Sequence, residues 1–104
     1  MTREQLLREI RARLREAHGE RLRGVVLYGS EARGDAQPDS DIDLLVLLDD
    51  PVEYGRDLET NLDALYPLAL EIGRRISPKP VSALEYETVT CPLYQVARRE
   101  GIAV

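Results

Sequence analysis

Apolar residues Leu6, Leu7, Ile10 and Leu14 recur three or four positions apart among arginines and glutamates at the start of the chain. That spacing places them on one stripe of a helix, with Thr2 positioned to cap its beginning and Gly19 to end it. The period then shortens. Residues 24–28, Gly-Val-Val-Leu-Tyr, make a β-branched run that stops at Gly29, and residues 42–48, Ile-Asp-Leu-Leu-Val-Leu-Leu, make an almost wholly apolar one. Both predict strands, and a run as apolar as the second belongs mid-sheet. Between them residues 30–33 predict a short helical turn, and Gln37-Pro38-Asp39-Ser40 is turn chemistry.

Helical period returns over 57–72. Leu58, Leu62, Leu65, Leu68, Ala69 and Ile72 predict one buried face, Pro67 a kink or a split, and Gly73 a stop. Residues 76–83 predict a third strand confined to a sheet edge, because Pro78 and Pro80 have no N–H to give to a ladder. Residues 92–100 predict a last short helix, with Pro92 in its first turn and Gly101 behind it. The order α-β-β-α-β-α, uninterrupted by repeats or linkers, predicts a single α+β domain over 1–104, a small mixed sheet flanked by helices.

Composition narrows what such a domain does. With 104 residues there is room for one core and one site. No Trp or Phe is present, so the core is aliphatic and aromatic platforms for stacking bases are missing. The formal net charge is −5, from 14 basic and 19 acidic residues, which argues against a nucleic-acid partner held through its backbone. The single cysteine, Cys91, can form neither an internal disulfide nor a thiolate zinc cage. His18 is the only histidine, so no histidine-based metal site or triad is available, and its place in the last turn of the first helix predicts a solvated side chain. The charged N-terminal helix is neither a signal peptide nor a membrane span, and the expected location is the cytoplasm.

The informative stretch is GSEARGDAQPDSDIDL, residues 29–44. Asp41 and Asp43 are two apart on a strand, so their side chains leave the same face with backbones roughly 7 Å apart, while Ile42 and Leu44 point into the core. Carboxylates crowded against an apolar strand repel each other, and the relief is a raised pKa or a bound cation. Oxygen-only ligands suit Mg²⁺ or Mn²⁺ completed by waters and substrate phosphates. An EF-hand is excluded, since Leu44 stands where its glycine belongs and Asp50 where its glutamate does. Taken singly, Asp39 and Asp41 also read as turn and capping residues and Asp43 as a solvated strand end. Gly29-Ser30 reads either as an anion-binding turn that lets a phosphate approach the backbone, or as a strand-to-helix turn capped by Ser30. Arg33 reads as a phosphate contact or as an internal counter-ion for the aspartates.

Together these residues resemble the G-S-x-A-R-G…S-D-x-D-[LI] signature of the minimal nucleotidyltransferases, small members of the DNA polymerase β-like superfamily. The match covers residues 24–48. The resemblance implies that Gly29 and Ser30, with Arg33 and Ser40 nearby, hold the phosphates of ATP, and that Asp41 and Asp43 are the catalytic carboxylates that hold Mg²⁺ or Mn²⁺. It further implies transfer of AMP from ATP to a hydroxyl. Stand-alone domains of this family are often antitoxins that adenylylate a HEPN ribonuclease toxin, so a HEPN-type protein partner is expected, in a homo- or hetero-oligomer. Active members place a third carboxylate on the next strand, and Ile76-Ser77-Pro78-Lys79-Pro80-Val81-Ser82-Ala83 contains none. Whether the chain is an enzyme therefore stays open. The alternative is a catalytically impaired nucleotide- or protein-binding module that neutralises its partner by occlusion.

Overall fold

The computed structural model describes all residues, 1–104. Helix α1, Arg3–His18, opens on a reciprocal cap in which the Gln5 N–H donates to Thr2 Oγ1 at 3.1 Å and the Thr2 N–H to Gln5 Oε1 at 2.8 Å. Two first-turn donors are thereby satisfied. A turn of 3-10 helix, Gly19–Arg21, leads into β1, Leu22–Tyr28, which starts two residues before the apolar run because Leu22 is itself buried. There follow α2 (Ser30–Arg33), β2 (Ile42–Leu48), α3 (Tyr54–Ile72), β3 (Ile76–Ser82), α4 (Ala83–Thr88), α5 (Pro92–Glu100) and β4 (Ile102–Ala103).

The sheet runs in the order β3-β2-β1-β4. Strand β1 is antiparallel to β2 and to β4, and β2 is parallel to β3, the crossover between them being α3. Helices α1 and α3 cover one face, where Ile10, Leu14, Leu65 and Leu68 meet Val25, Leu27, Ile42, Leu44, Val46 and Leu48. The other face has only a small cluster of Leu45, Val81 and Ala97, bordered by Tyr28, Tyr86 and Tyr94. One face of the sheet is thick with core; the other is thin.

Three expectations need correction. Helix α3 begins at Tyr54 and runs unbroken through Pro67. Pro67 and Asp63, whose carbonyl it leaves without a donor, are both exposed, so water can take the freed acceptor. The buried face of α3 is Asp57, Asn61, Leu65 and Leu68, not one containing Leu62, which is 44% exposed. The two polar residues are buried because they have partners. Asp57 accepts from Arg21 Nη1 and Nη2 at 3.0 and 3.1 Å and from the Glu53 N–H at 3.0 Å. Asn61 Nδ2 donates to the Pro78 carbonyl at 2.9 Å, and its Oδ1 lies 2.5 Å from His18 Nε2. A carbonyl only accepts, so the Asn61 amide has one orientation and the shared proton is carried by His18 Nε2. His18 is thus a structural donor rather than a solvated ring.

Helix α4 and strand β4 also escape the sequence pattern. The first is held by Ser82 Oγ, which accepts from the Glu85 N–H at 3.2 Å. The second pairs Ile102 and Ala103 with Leu27 and Val26, after which the Val104 N–H donates to the Val25 carbonyl at 2.9 Å. The edges of the sheet are therefore closed differently. On β3, as expected, Pro78 and Pro80 remove donors; on β1 a short tail covers the ladder. No helix is long and apolar enough to cross a membrane.

Candidate nucleotide site

The site lies on the thin face, where β1 ends and β2 begins. Asp43 pairs with Tyr28 of β1 and with Ser77 of β3, and Asp41 stands exposed just before β2. Alternation puts Asp43 on the face of Leu45, away from the core beneath α1 and α3. Asp41, just outside the strand, is near enough for its charge to act on Asp43.

Gly29 takes the chain off β1 with φ +77°, and a Cβ built there would stand 2.5 Å from Asp43 Oδ2. The Asp43 carboxylate thus packs directly on the glycine backbone, and no other residue type leaves that room. Ser30 is the first residue of α2 and Gly29 is its N-cap, which removes the reading of Ser30 as a capping side chain. The N–H groups of Ser30, Glu31 and Ala32 open the helix without intrahelical acceptors. The turn closes behind them as the Gly34 and Asp35 N–H groups both donate to the Ser30 carbonyl, at 3.0 and 3.1 Å.

Ser40 has its hydroxyl turned inward, accepting from the Gln37 N–H at 2.8 Å, so it shapes the loop before the aspartates. Its carbonyl accepts from Arg74 Nε and Nη2 at 3.1 and 3.0 Å, while Arg74 Nη1 donates to Glu31 Oε1 at 2.5 Å. Arg74 ties α2 to the acidic loop from beyond the end of α3. Sequence reasoning missed it, since nothing local to Gly73-Arg74 signals a contact with residues 34 and 43 positions away. Arg33 is held by Asp35 at 3.3 Å and Glu100 at 3.4 Å. Its direct ion pairs are thus with Asp35 and Glu100 rather than Asp41 or Asp43, although its charge still reaches Asp43 without contact.

Burial, and then the neighbouring Asp41, push the Asp43 carboxyl above the usual range, with Lys79 and Arg33 opposing. Burial followed by Asp43 raises the Tyr28 phenol as well. Ser77 and Lys79 are what β3 presents to this face, since Ser77 is level with Asp43 and Lys79 with Leu45. No third carboxylate joins the pair, and nowhere in the chain do three His, Cys, Asp or Glu side chains converge as a metal site. Two carboxylates that repel each other still fit a small hard cation whose remaining ligands are water and substrate phosphate. Beyond Lys79 opens a cleft of about 400 Å³ lined by Val81, Glu85, Leu93 and Tyr94.

A close-approach glycine at a strand end beside paired aspartates at the start of the adjoining strand is the arrangement of a nucleotidyltransferase. The chain belongs to the nucleotidyltransferase domain family, whose model matches residues 7–100. Within it the likeness is to minimal, adenylyltransferase-like members. A candidate protein adenylyltransferase of Methanocaldococcus jannaschii is 34% identical over 70 residues, 67% of this chain and 70% of that protein. The structure of a candidate minimal nucleotidyltransferase is 28% identical and superposes with a TM-score of 0.62 over all of this chain and 97% of its own. Spectinomycin adenyltransferase AAD(9) from Enterococcus faecialis, with ATP and spectinomycin, shares the fold at a TM-score of 0.74 and 18% identity, over 99% of this chain and 56% of that enzyme. A toxin-antitoxin structure with AMP-PNP shares it at 0.64 and 19% identity, over 90% of this chain and 68% of its own.

Proposed function

We propose that the chain, as one minimal domain in the cytoplasm, binds ATP with Mg²⁺ or Mn²⁺ and transfers AMP to a hydroxyl of a protein partner, acting as antitoxin to a HEPN-type toxin. The observation that carries this reading is the Asp43 carboxylate seated on the Gly29 backbone with Asp41 close enough to act on its charge, a negative pair beside the glycine turn. Asp41 and Asp43 would hold the cation, which when bound neutralises phosphate charge. The Gly29-Ser30 turn receives the β- and γ-phosphates, leaving the α-phosphorus over the aspartates. The acceptor oxygen bonds to that phosphorus, the bond to pyrophosphate breaks, and the hydroxyl proton leaves to solvent or a base. The relative named for protein adenylylation and the toxin-antitoxin likeness support a protein acceptor.

Lys79 favours a second reading. A cationic side chain stands on the strand where active members of the family carry an acid, and a site without that base is expected to turn over slowly. Binding and occlusion would then suffice. Incubation with labelled ATP, Mg²⁺ and a HEPN-type partner separates the two. Label on the partner with the parent, and none with Asp41→Asn, supports transfer. Equal silencing of the partner by the parent and by the Asp41→Asn, Asp43→Asn variant, with no label moved, replaces transfer by occlusion.

A further inference from the structure

The outer face of α3 carries a seam that the site does not use. Glu59, Leu62, Tyr66, Ala69 and Gly73 follow one another at intervals of three and four, the spacing by which helices pack side by side. Leu62, Tyr66 and the adjoining Leu70 are 44%, 63% and 64% exposed, an unusual concentration of large apolar surface on so small a chain. Beside them is a hollow of about 400 Å³ floored by Leu65, Ala69 and Ile76, wide enough to receive a side chain from outside.

Charge along the seam is ordered. Glu59 and Asp63 are exposed towards its start and Arg75 just past its end, none of the three with an ion-pair partner within the chain; the exposed Arg56 and Glu71, of opposite charge, lie further round the helix than the seam. We propose that α3 pairs antiparallel with the α3 of a second copy of this chain about a two-fold axis near Tyr66. A two-fold lays the acidic end of each copy over the basic end of the other, so the same contact forms twice. Leu62 then meets Leu70, the tyrosines meet at the centre, and Glu59 faces Arg75 across Gly73, whose missing side chain leaves the guanidinium room. Sheet-edge pairing is not open to β3, because Pro78 and Pro80 lack donors. The helix face, where three exposed large apolar side chains adjoin, offers an apolar route instead.

Light scattering of the eluting full-length chain across the micromolar range tests this. The parent is expected to move from 11.7 kDa towards twice that mass as concentration rises. Tyr66→Glu, an exposed substitution whose unchanged melting temperature shows that the fold survives, is expected to remain monomeric. Glu59→Arg and Arg75→Glu should each weaken self-association about tenfold or more, since every dimer contains the pair twice. Mixed one to one, these two variants should dimerise with each other again, because each then supplies what the other lacks. A parent that stays monomeric throughout overturns the proposal, as does parental dimerisation by Tyr66→Glu or failure of the mixed variants to recover. A seam that binds only a different protein gives the first of these results.

Discussion

Gly29 and Asp43 are a coupled pair, and each sets the cost of changing the other. An alanine at Gly29 would have to hold φ +77° and push its Cβ against Asp43 Oδ2. The expected loss is about 1–3 kcal/mol of stability from the backbone alone, read by denaturant unfolding, together with a displaced carboxylate. Ser30→Ala is the cleaner probe of phosphate binding, because Ser30 has an ordinary helical backbone and is not the cap. At Asp43 the sign is opposite. Burial and Asp41 make its ionised form unfavourable, so Asp43→Asn should raise the melting temperature of the ligand-free protein. The same variant should lose the stabilisation by Mg-ATP, which for the parent at about 100 times Kd amounts to about 2.7 kcal/mol, a shift of roughly 10 °C or more. A parental response from Asp43→Asn in thermal melts would remove it from the site. Lys79→Asp puts an acid on the site face of β3 and should raise any AMP transfer above the parental rate. The outward face of Asp43 and the turn at Gly29 were legible because a strand's two-residue alternation and a glycine's freedom act locally. The ion pairs of Arg33 and the clamp of Arg74 were not, since both depend on residues brought together by the fold.

Elements are joined here by buried polar residues on α3 rather than by leucine packing alone. Asp57 receives both arms of Arg21, which also donates to the Pro51 carbonyl at 2.9 Å, so one guanidinium fastens the entry to β1, the loop after β2 and the start of α3. That contact holds the Asp57 carboxyl below its usual range. A depressed folded-state pKa stabilises the protein in full above the unfolded value of about 3.9, and the contribution disappears as pH falls through the lower folded value. Asp57→Asn should therefore cost about 1–2 kcal/mol at neutral pH, the lower figure reflecting the partial exposure of Arg21. The gap between variant and parent should close on acidification, which urea unfolding at descending pH would measure. A constant gap would mean that the carboxylate charge is not what matters. The register of α3 was misread because Leu58 and Leu62 offer the same helical period as Asp57 and Asn61. Only the partners Arg21, His18 and Pro78, distant in sequence, make the polar pair the buried one. Element types and the edge position of β3 were legible; α4 and the two-residue β4 were not, being too short to show a period.

At the scale of the molecule the sheet has a thick face that supplies stability and a thin one that carries the candidate site. The long apolar run of β2 serves both, burying Leu44 and Val46 beneath the helices while Asp43 opens to the other side. The family was readable from residues 24–48 and most of the element order from periodicity along the whole chain, whereas the unequal faces emerged only once α4 and α5 were placed. The two differently closed edges carry a practical consequence. Proline protects β3 by covalent structure, and that protection persists in a partly opened chain. The cover over β1 is three residues deep, held by Val104 to Val25 and by Arg11 Nη1 to the Val104 carbonyl at 3.0 Å, and it can fray. Removing the cover formed by residues 102–104 should leave ATP binding intact while turbidity grows during storage at high concentration, so resistance to edge-to-edge association rests on that short pairing.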